Sequence, residues 1–392
     1  STLFPYTTLF RSRPMKLRPL QSIPVLCCAL VLLALGSGCS RRSAAGGAPA
    51  LAEPRITGKP GDPGVMLKAD WKPSHDYQIT LQLEQSTQVR NRNTDEDFDQ
   101  ELRFRLDFNA AAVPAAAKDQ APAALNLNLE LSGLFFELIR GDLPLVHYDS
   151  RSRVGLLEDD QRTTEALDKL VGARWRYTVG AEGQVLSAQV DTNGPAGRSL
   201  ANEPRIAGLT LVRRLFNPYY FQPFLELGWL PGREMKVGDT WPLERQFNAG
   251  TVGGVQFKGT CTFKGWQEAQ GRRCARFDLA GGLTPAARLP GKLGRVIASA
   301  SADLEKGTLA GQVWFDPEQN LPVQMVTDLT MVTVTQQRQR KAAGDTSTNA
   351  PPTVRLVVPL NQRIKLKIAD QGESVHAPPA APRPVSSTPT PP

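Results

Sequence analysis

Histidine is almost missing from these 392 residues. It occurs three times, at His75, His147 and His376, too few and too scattered for an imidazole-built zinc site. The chain also lacks a Gly-x-Ser-x-Gly elbow, a phosphate-cradling glycine loop and a His-Glu-x-x-His helix, so it shows none of those hydrolase, nucleotidase and metalloprotease signatures. Glu158-Asp159-Asp160 comes nearest to a catalytic carboxylate pair, and a charge run before a helix start reads as dipole complement on a solvated loop. No Asp or Glu occurs before residue 39, where Arg11, Arg13, Lys16 and Arg18 all fall. The net +8 therefore shrinks to 42 Lys+Arg against 38 Asp+Glu over the rest, an excess of +4. So small an excess points to no nucleic-acid partner. Long apolar runs are scarce too: only residues 23–35 form one, which excludes a polytopic helical membrane protein. Together these gaps point to a non-enzyme, with no cofactor and no metal.

What the amino end does contain is an address. Met15-Lys16-Leu17-Arg18, the apolar run and Leu35-Gly36-Ser37-Gly38-Cys39 have the basic, apolar and small-residue order of a secretory signal. Ending in Cys, the segment resembles a bacterial lipobox, which implies cleavage before Cys39 and lipidation of that residue. Three acyl chains at ~0.8 kcal/mol per buried methylene anchor a protein durably. Ser40 stands where an Asp would favour inner-membrane retention, so the resemblance implies an outer-membrane anchor facing the periplasm. Residues 1–14 resemble translated sequencing-adapter sequence and are set outside the fold. The expected organisation is then a signal peptide at 15–38, a flexible Ala/Gly/Pro tether at 39–66, a β-rich body at 67–370 and a disordered tail at 371–392. Seven prolines fall in the last sixteen residues, which rules out a packed element there.

Within the body, hydrophobicity alternates with period two. Tyr77, Ile79, Leu81 and Leu83 are interleaved with polar residues; so are Leu102, Phe104, Leu106 and Phe108, and again Leu125, Leu127, Leu129 and Leu131. One wet face per strand favours antiparallel sheet. Further strands are expected at 174–179, 183–190, 255–263, 273–279, 296–304, 309–315, 323–333, 354–358 and 364–368, with tight turns at Ala181-Glu182-Gly183 and Glu305-Lys306-Gly307. The polar stretch 336–352 reads as a long loop. Two helices interrupt the pattern. A short one, capped by Thr163 or Thr164, carries Leu167, Leu170 and Val171 and ends at Gly172; a longer one runs from Asn202, through Pro204 in its first turn, to a stop at Pro218. The fold class is α+β, mostly antiparallel β: one large curved sheet, or two sheet lobes meeting near residues 195–230, with two helices.

Two features of composition stand out. Cys27 and Cys28 leave with the signal and Cys39 is acylated, so Cys261 and Cys274 remain in the body. In an oxidising envelope they are expected to form a disulfide. Alternation puts them on opposite faces, so the bond requires a β-bulge in the hairpin near residues 266–271; two buried thiols are the alternative. The other feature is residues 216–229, where Phe216, Tyr219, Tyr220, Phe221, Phe224 and Trp229 crowd fourteen positions of a chain that is 7% aromatic. Such rings either line the mouth of an apolar-ligand pocket or plug the sheet core.

Several short motifs, His147-Tyr148-Asp149-Ser150, Leu170-Val171-Gly172, the run from Tyr177 to Val185, Leu230-Pro231 and Val237-Gly238-Asp239-Thr240-Trp241, together resemble an uncharacterised family of bacterial envelope lipoproteins. The resemblance spans roughly residues 70–335. It implies the lipoprotein address and brings no activity or catalytic residues with it. Physically the motifs read as hairpin and strand-entry chemistry, with Gly238-Asp239 opening a strand whose Trp241 packs inward. Two function classes follow: a non-enzymatic outer-membrane lipoprotein that binds or carries an apolar envelope molecule, a lipid for example, or an envelope scaffold that binds another protein and has a solid core.

Overall fold

A computed structural model describes residues 55–59, 62–91, 96–115, 124–152, 161–194, 196–198, 217–248, 254–286, 302–338 and 353–374. The strands are β1 (Val65–Met66), β2 (His75–Asn91), β3 (Glu96–Pro114), β4 (Leu125–Arg140), β5 (Leu143–Asp149), β6 (Arg174–Val179), β7 (Val185–Val190), β8 (Glu234–Met235), β9 (Thr240–Asn248), β10 (Gly254–Ala269), β11 (Arg272–Pro285), β12 (Asp303–Asp316), β13 (Leu321–Arg338) and β14 (Thr353–Glu373). Twelve of them form one antiparallel sheet in the order β7-β6-β4-β3-β2-β14-β13-β12-β11-β10-β9, with β5 on the outer half of β4. β14 pairs with β2, joining the two halves of the chain, so the large sheet is continuous and not split into two lobes, and β1 with β8 forms a small second sheet.

The period-two pattern explains its inner face. Ile79, Leu81 and Leu83 of β2 face the core beside Phe104, Leu106 and Phe108 of β3 and Leu127, Leu129 and Leu131 of β4. The alternation of β4 slips at a bulge: Asp107 opposes Gly133 and Phe108 opposes Leu131, leaving Ser132 unpaired, after which Leu134, Phe136 and Leu138 take over the inner face. In β14 the ladder to β2 stops at Leu360 and Thr87, next to Pro359, which has no N–H to continue it.

Several expectations need correction. Glu305-Lys306-Gly307 is not a turn; it lies inside β12, where a bulge between Leu304 and Lys306 absorbs the extra residue. The first helix, α1, spans Gln161–Asp168, so Thr163 and Thr164 lie within it and do not cap it; turns then lead to Gly172 at φ +82°. Pro218 begins a helix, α2 (Pro218–Leu225), where none was expected; the helix expected from Asn202, which Pro218 was to stop, lies outside the described residues. The residues assigned to a tether are partly tied down. Thr57 exchanges backbone hydrogen bonds with Trp266 at 2.7 and 2.6 Å, and β1 pairs with β8. Main-chain pairing of this kind leaves little trace in composition. Residues 339–352 and the Glu158-Asp159-Asp160 run lie outside the described residues.

Cys261 and Cys274 do not form the expected disulfide. Both are free and buried. A bulge does occur, between Phe263 and Gly265, yet Cys261 opposes Leu279 and Cys274 opposes Gln267. Five residues along β11 separate Leu279 from Cys274, roughly 17 Å at the rise of a strand, far beyond disulfide reach. The two also face opposite ways: Cys261 belongs to the main core with Phe263 and Phe277, whereas Cys274 packs with Trp314 and Val323. Burial pushes the Cys261 thiol up to about 12, opposed by Arg245, and the Cys274 thiol up to about 11, helped by Asp316. Both thiols should therefore resist alkylation in the native protein and react fully after unfolding without reductant. A peptide pair linked through these two residues in an unreduced digest would overturn this.

Candidate functional site

The aromatic segment forms a strap built around α2. Asn217 caps the helix, its Oδ1 accepting the Tyr219 N–H at 3.0 Å, and Pro218 supplies a preset φ at the first position. Pro223 removes one internal donor and keeps the helix short; the last turn closes with Glu226 N–H donating to the Gln222 carbonyl at 2.9 Å.

On one side the strap holds the β6–β7 hairpin. The Tyr177 hydroxyl donates to the Pro218 carbonyl at 2.6 Å, and Leu227 N–H donates to the Gly183 carbonyl at 2.9 Å. Gly183 has φ +77°, and a Cβ there would sit 3.2 Å from the Leu227 backbone, so the expected Ala181-Glu182-Gly183 turn also docks the strap. Burial raises the Tyr177 phenol well above its ordinary range. On the other side β9 presents Trp241, Leu243, Arg245 and Phe247 at alternate positions, and Arg245 Nη2 donates to the Pro223 carbonyl at 2.8 Å and to the Glu226 carbonyl at 3.4 Å. β7 and β9 end the path of the sheet and do not pair with each other. Both edges reach the same strap, so the sheet curls toward closure and α2 spans the seam.

The six rings divide between the two roles considered for them. Phe221, 3% exposed, is a plug: its ring lies edge-on to Phe108 at 5.2 Å and to Trp175 at 5.5 Å, and those two meet each other at 5.8 Å. Tyr220 and Phe224 are half-buried against the core. Tyr219 and Trp229 line a cleft of about 230 Å³ between α2 and β9, together with Pro223, Glu226, Arg245 and Phe247. Phe216 and the expected lipidation residue Cys39 lie outside the described residues.

Charge in the cleft is uneven. Burial lowers the Arg245 pKa from its ordinary value, with Glu226 and Cys261 pulling the other way. The Glu226 carboxylate accepts from Gln222 Nε2 at 3.2 Å, and Glu244 at the rim pairs with Lys258 at 3.2 Å. The Trp229 indole N–H is buried without a hydrogen-bond partner among the described residues. Arg245 and Phe247 were not singled out from sequence. The available signal was an arginine in the inward register of a period-two strand, after Trp241 and Leu243.

The chain matches no protein-family model and no curated protein sequence. Among solved structures it is similar to one of lipovitellin that concerns lipid–protein interactions in that protein, at 12% identity and a TM-score of 0.42, covering 80% of this chain and 27% of that one. It is also similar to an outer membrane channel from Pseudomonas putida F1, at 11% identity and a TM-score of 0.18, covering 79% of this chain and all of that one. The chain thus spans about a quarter of the lipovitellin chain. Likenesses this distant carry no inference about function.

Proposed function

We propose that the chain is a non-enzymatic lipoprotein of the bacterial envelope, anchored in the outer membrane through an acylated Cys39, which holds or hands over an apolar envelope molecule at the α2 seam. The observation that supports this is the unclosed sheet: its two edges are spanned by an aromatic strap beside an open cleft, where an apolar chain can enter without breaking a β-ladder. The strap meets β9 through the Arg245 side chain, an attachment that can give way at less cost than strand pairing. A scaffold with a solid core is the second reading, and the Phe108–Trp175–Phe221 cluster favours it.

Native mass spectrometry of the full chain should find co-purifying lipid, and an apolar fluorescent probe should bind. Tyr219→Ala with Phe247→Ala should lower probe uptake and leave the melting temperature nearly unchanged, because both side chains are already partly wet. A wild-type chain that carries no lipid and takes up no probe would leave the scaffold as the better account. The anchor has its own test: Cys39→Ala should abolish incorporation of a labelled fatty acid, and label retained in that variant would remove the lipobox reading.

A further inference from the structure

We infer that the cleft between α2 and β9 receives the anionic end of an amphiphile, a carboxylate or phosphate group, gripped by the Arg245 guanidinium and the Trp229 indole N–H. This rests on the reading that the seam admits an apolar molecule, and adds what the far end of that molecule must be.

Arg245 carries five donors on a partly buried charged group in the wall of the cleft. The bonds it makes run from one nitrogen, Nη2, to two main-chain carbonyls. No carboxylate forms an ion pair with it among the described residues; Glu226 offsets part of its charge from further off and turns its carboxylate to Gln222. Two carbonyl contacts leave most of the guanidinium fork unused, and a guest anion supplies the planar pair of acceptors that fork is shaped for. Trp229, on the same cleft, holds a second donor with nothing to donate to. One opening is therefore lined by a residue with a largely unused guanidinium and by another whose buried indole N–H lacks a partner among the described residues.

Size and surroundings narrow the guest. A volume of about 230 Å³ falls below the roughly 300–1,000 Å³ of pockets that enclose a whole drug-sized ligand, so the cleft takes the end of a longer molecule. Tyr219, Pro223 and Phe247 offer that molecule an apolar wall. Glu226 and Glu244 also line the opening, which limits the guest to a single charged group and disfavours a polyanion.

The test compares a fluorescent long-chain fatty acid with its methyl ester on the full chain. The acid should bind about tenfold more tightly, the factor expected of one buried charge-assisted contact. Arg245→Gln should erase the difference while the ester binds as before; Trp229→Phe, which keeps the ring and removes only the donor, should shrink it about threefold. Displacement of the probe by dodecanoate or by dodecyl phosphate tells which anion is preferred, and inorganic phosphate should compete poorly because it lacks the chain. If Arg245 is no more than a clasp for the Pro223 carbonyl, Arg245→Gln will weaken acid and ester alike and Trp229→Phe will change neither, which overturns the proposal. Equal binding of acid and ester to the wild-type chain overturns it as well, while leaving the apolar reading intact. Binding of neither removes both.

Discussion

Phe221→Ala should destabilise the protein by about 3–5 kcal/mol, the range for deleting a fully buried aromatic ring. The ring sits among Phe108, Trp175 and Tyr220 in edge-to-face contacts of 5.2–5.5 Å, so its loss removes three favourable ring geometries along with the buried area. The hole would collapse only partly: Phe108 and Trp175 are fixed on β3 and β6, which are held in register through β4. Phe221→Leu refills most of the volume and should cost about half as much or less. Urea denaturation of the two variants beside Tyr219→Ala checks the ordering. A Phe221→Ala cost below about 1 kcal/mol, comparable with that of the cleft-lining Tyr219→Ala, would mean the ring is at the mouth and not in the core.

Much of the sheet was legible from local pattern, since a half-buried strand writes its own alternation. β6 falls at residues 174–179 as expected, and the Ala181-Glu182-Gly183 turn, the strand opening at Gly238-Asp239 and the inward Trp241 all hold. What local pattern does not encode is which edge meets which. The two halves of the sheet join where Lys365 of β14 lies beside Glu84 of β2 at 3.3 Å, a contact across 281 positions. The seam exists only because that junction leaves β7 and β9 as the ends. That Pro218 opens a helix was missed for a different reason. A proline both ends one helix and opens the next, and the deciding residue is Asn217 before it, a helix N-cap. Alternation correctly set Cys261 and Cys274 on opposite faces; the bulge falls between Phe263 and Gly265, ahead of the stretch where it was expected, and cannot shorten a five-residue offset along the strand.

The site was half legible by the same logic. Aromatic crowding marked residues 216–229, but one-dimensional composition could not separate the plug from the lining, because that division depends on which ring meets Phe108 and Trp175 and which meets β9. Arg245 becomes notable only once its strand is known to be an edge and its neighbour across the seam to be a helix end.

Gly281→Val should be among the most damaging single substitutions in the sheet. Gly259 and Gly281 face each other across β10 and β11. A Cβ on Gly281 would lie 2.3 Å from the Lys258 carbonyl oxygen, 2.5 Å from Gly259 Cα and 2.7 Å from the Phe257 ring. Two of these obstacles are backbone, which no rotamer change can clear, so the ladder itself must move. The expected cost is at or above the upper end of the ~1–3 kcal/mol usual for overpacking. Gly282→Ala, one residue on, is the control: nothing lies within 4 Å of a Cβ there, and it should be neutral or slightly stabilising. Denaturation midpoints of the two variants should therefore differ widely, and similar midpoints would mean that the close approach of β10 and β11 is not a constraint. The effect should reach the cleft, because Phe257 is the cross-strand partner of Arg245. If enough Gly281→Val protein folds to be titrated, its preference for the fatty acid over the methyl ester should be weakened, whereas Gly282→Ala should keep the wild-type ratio.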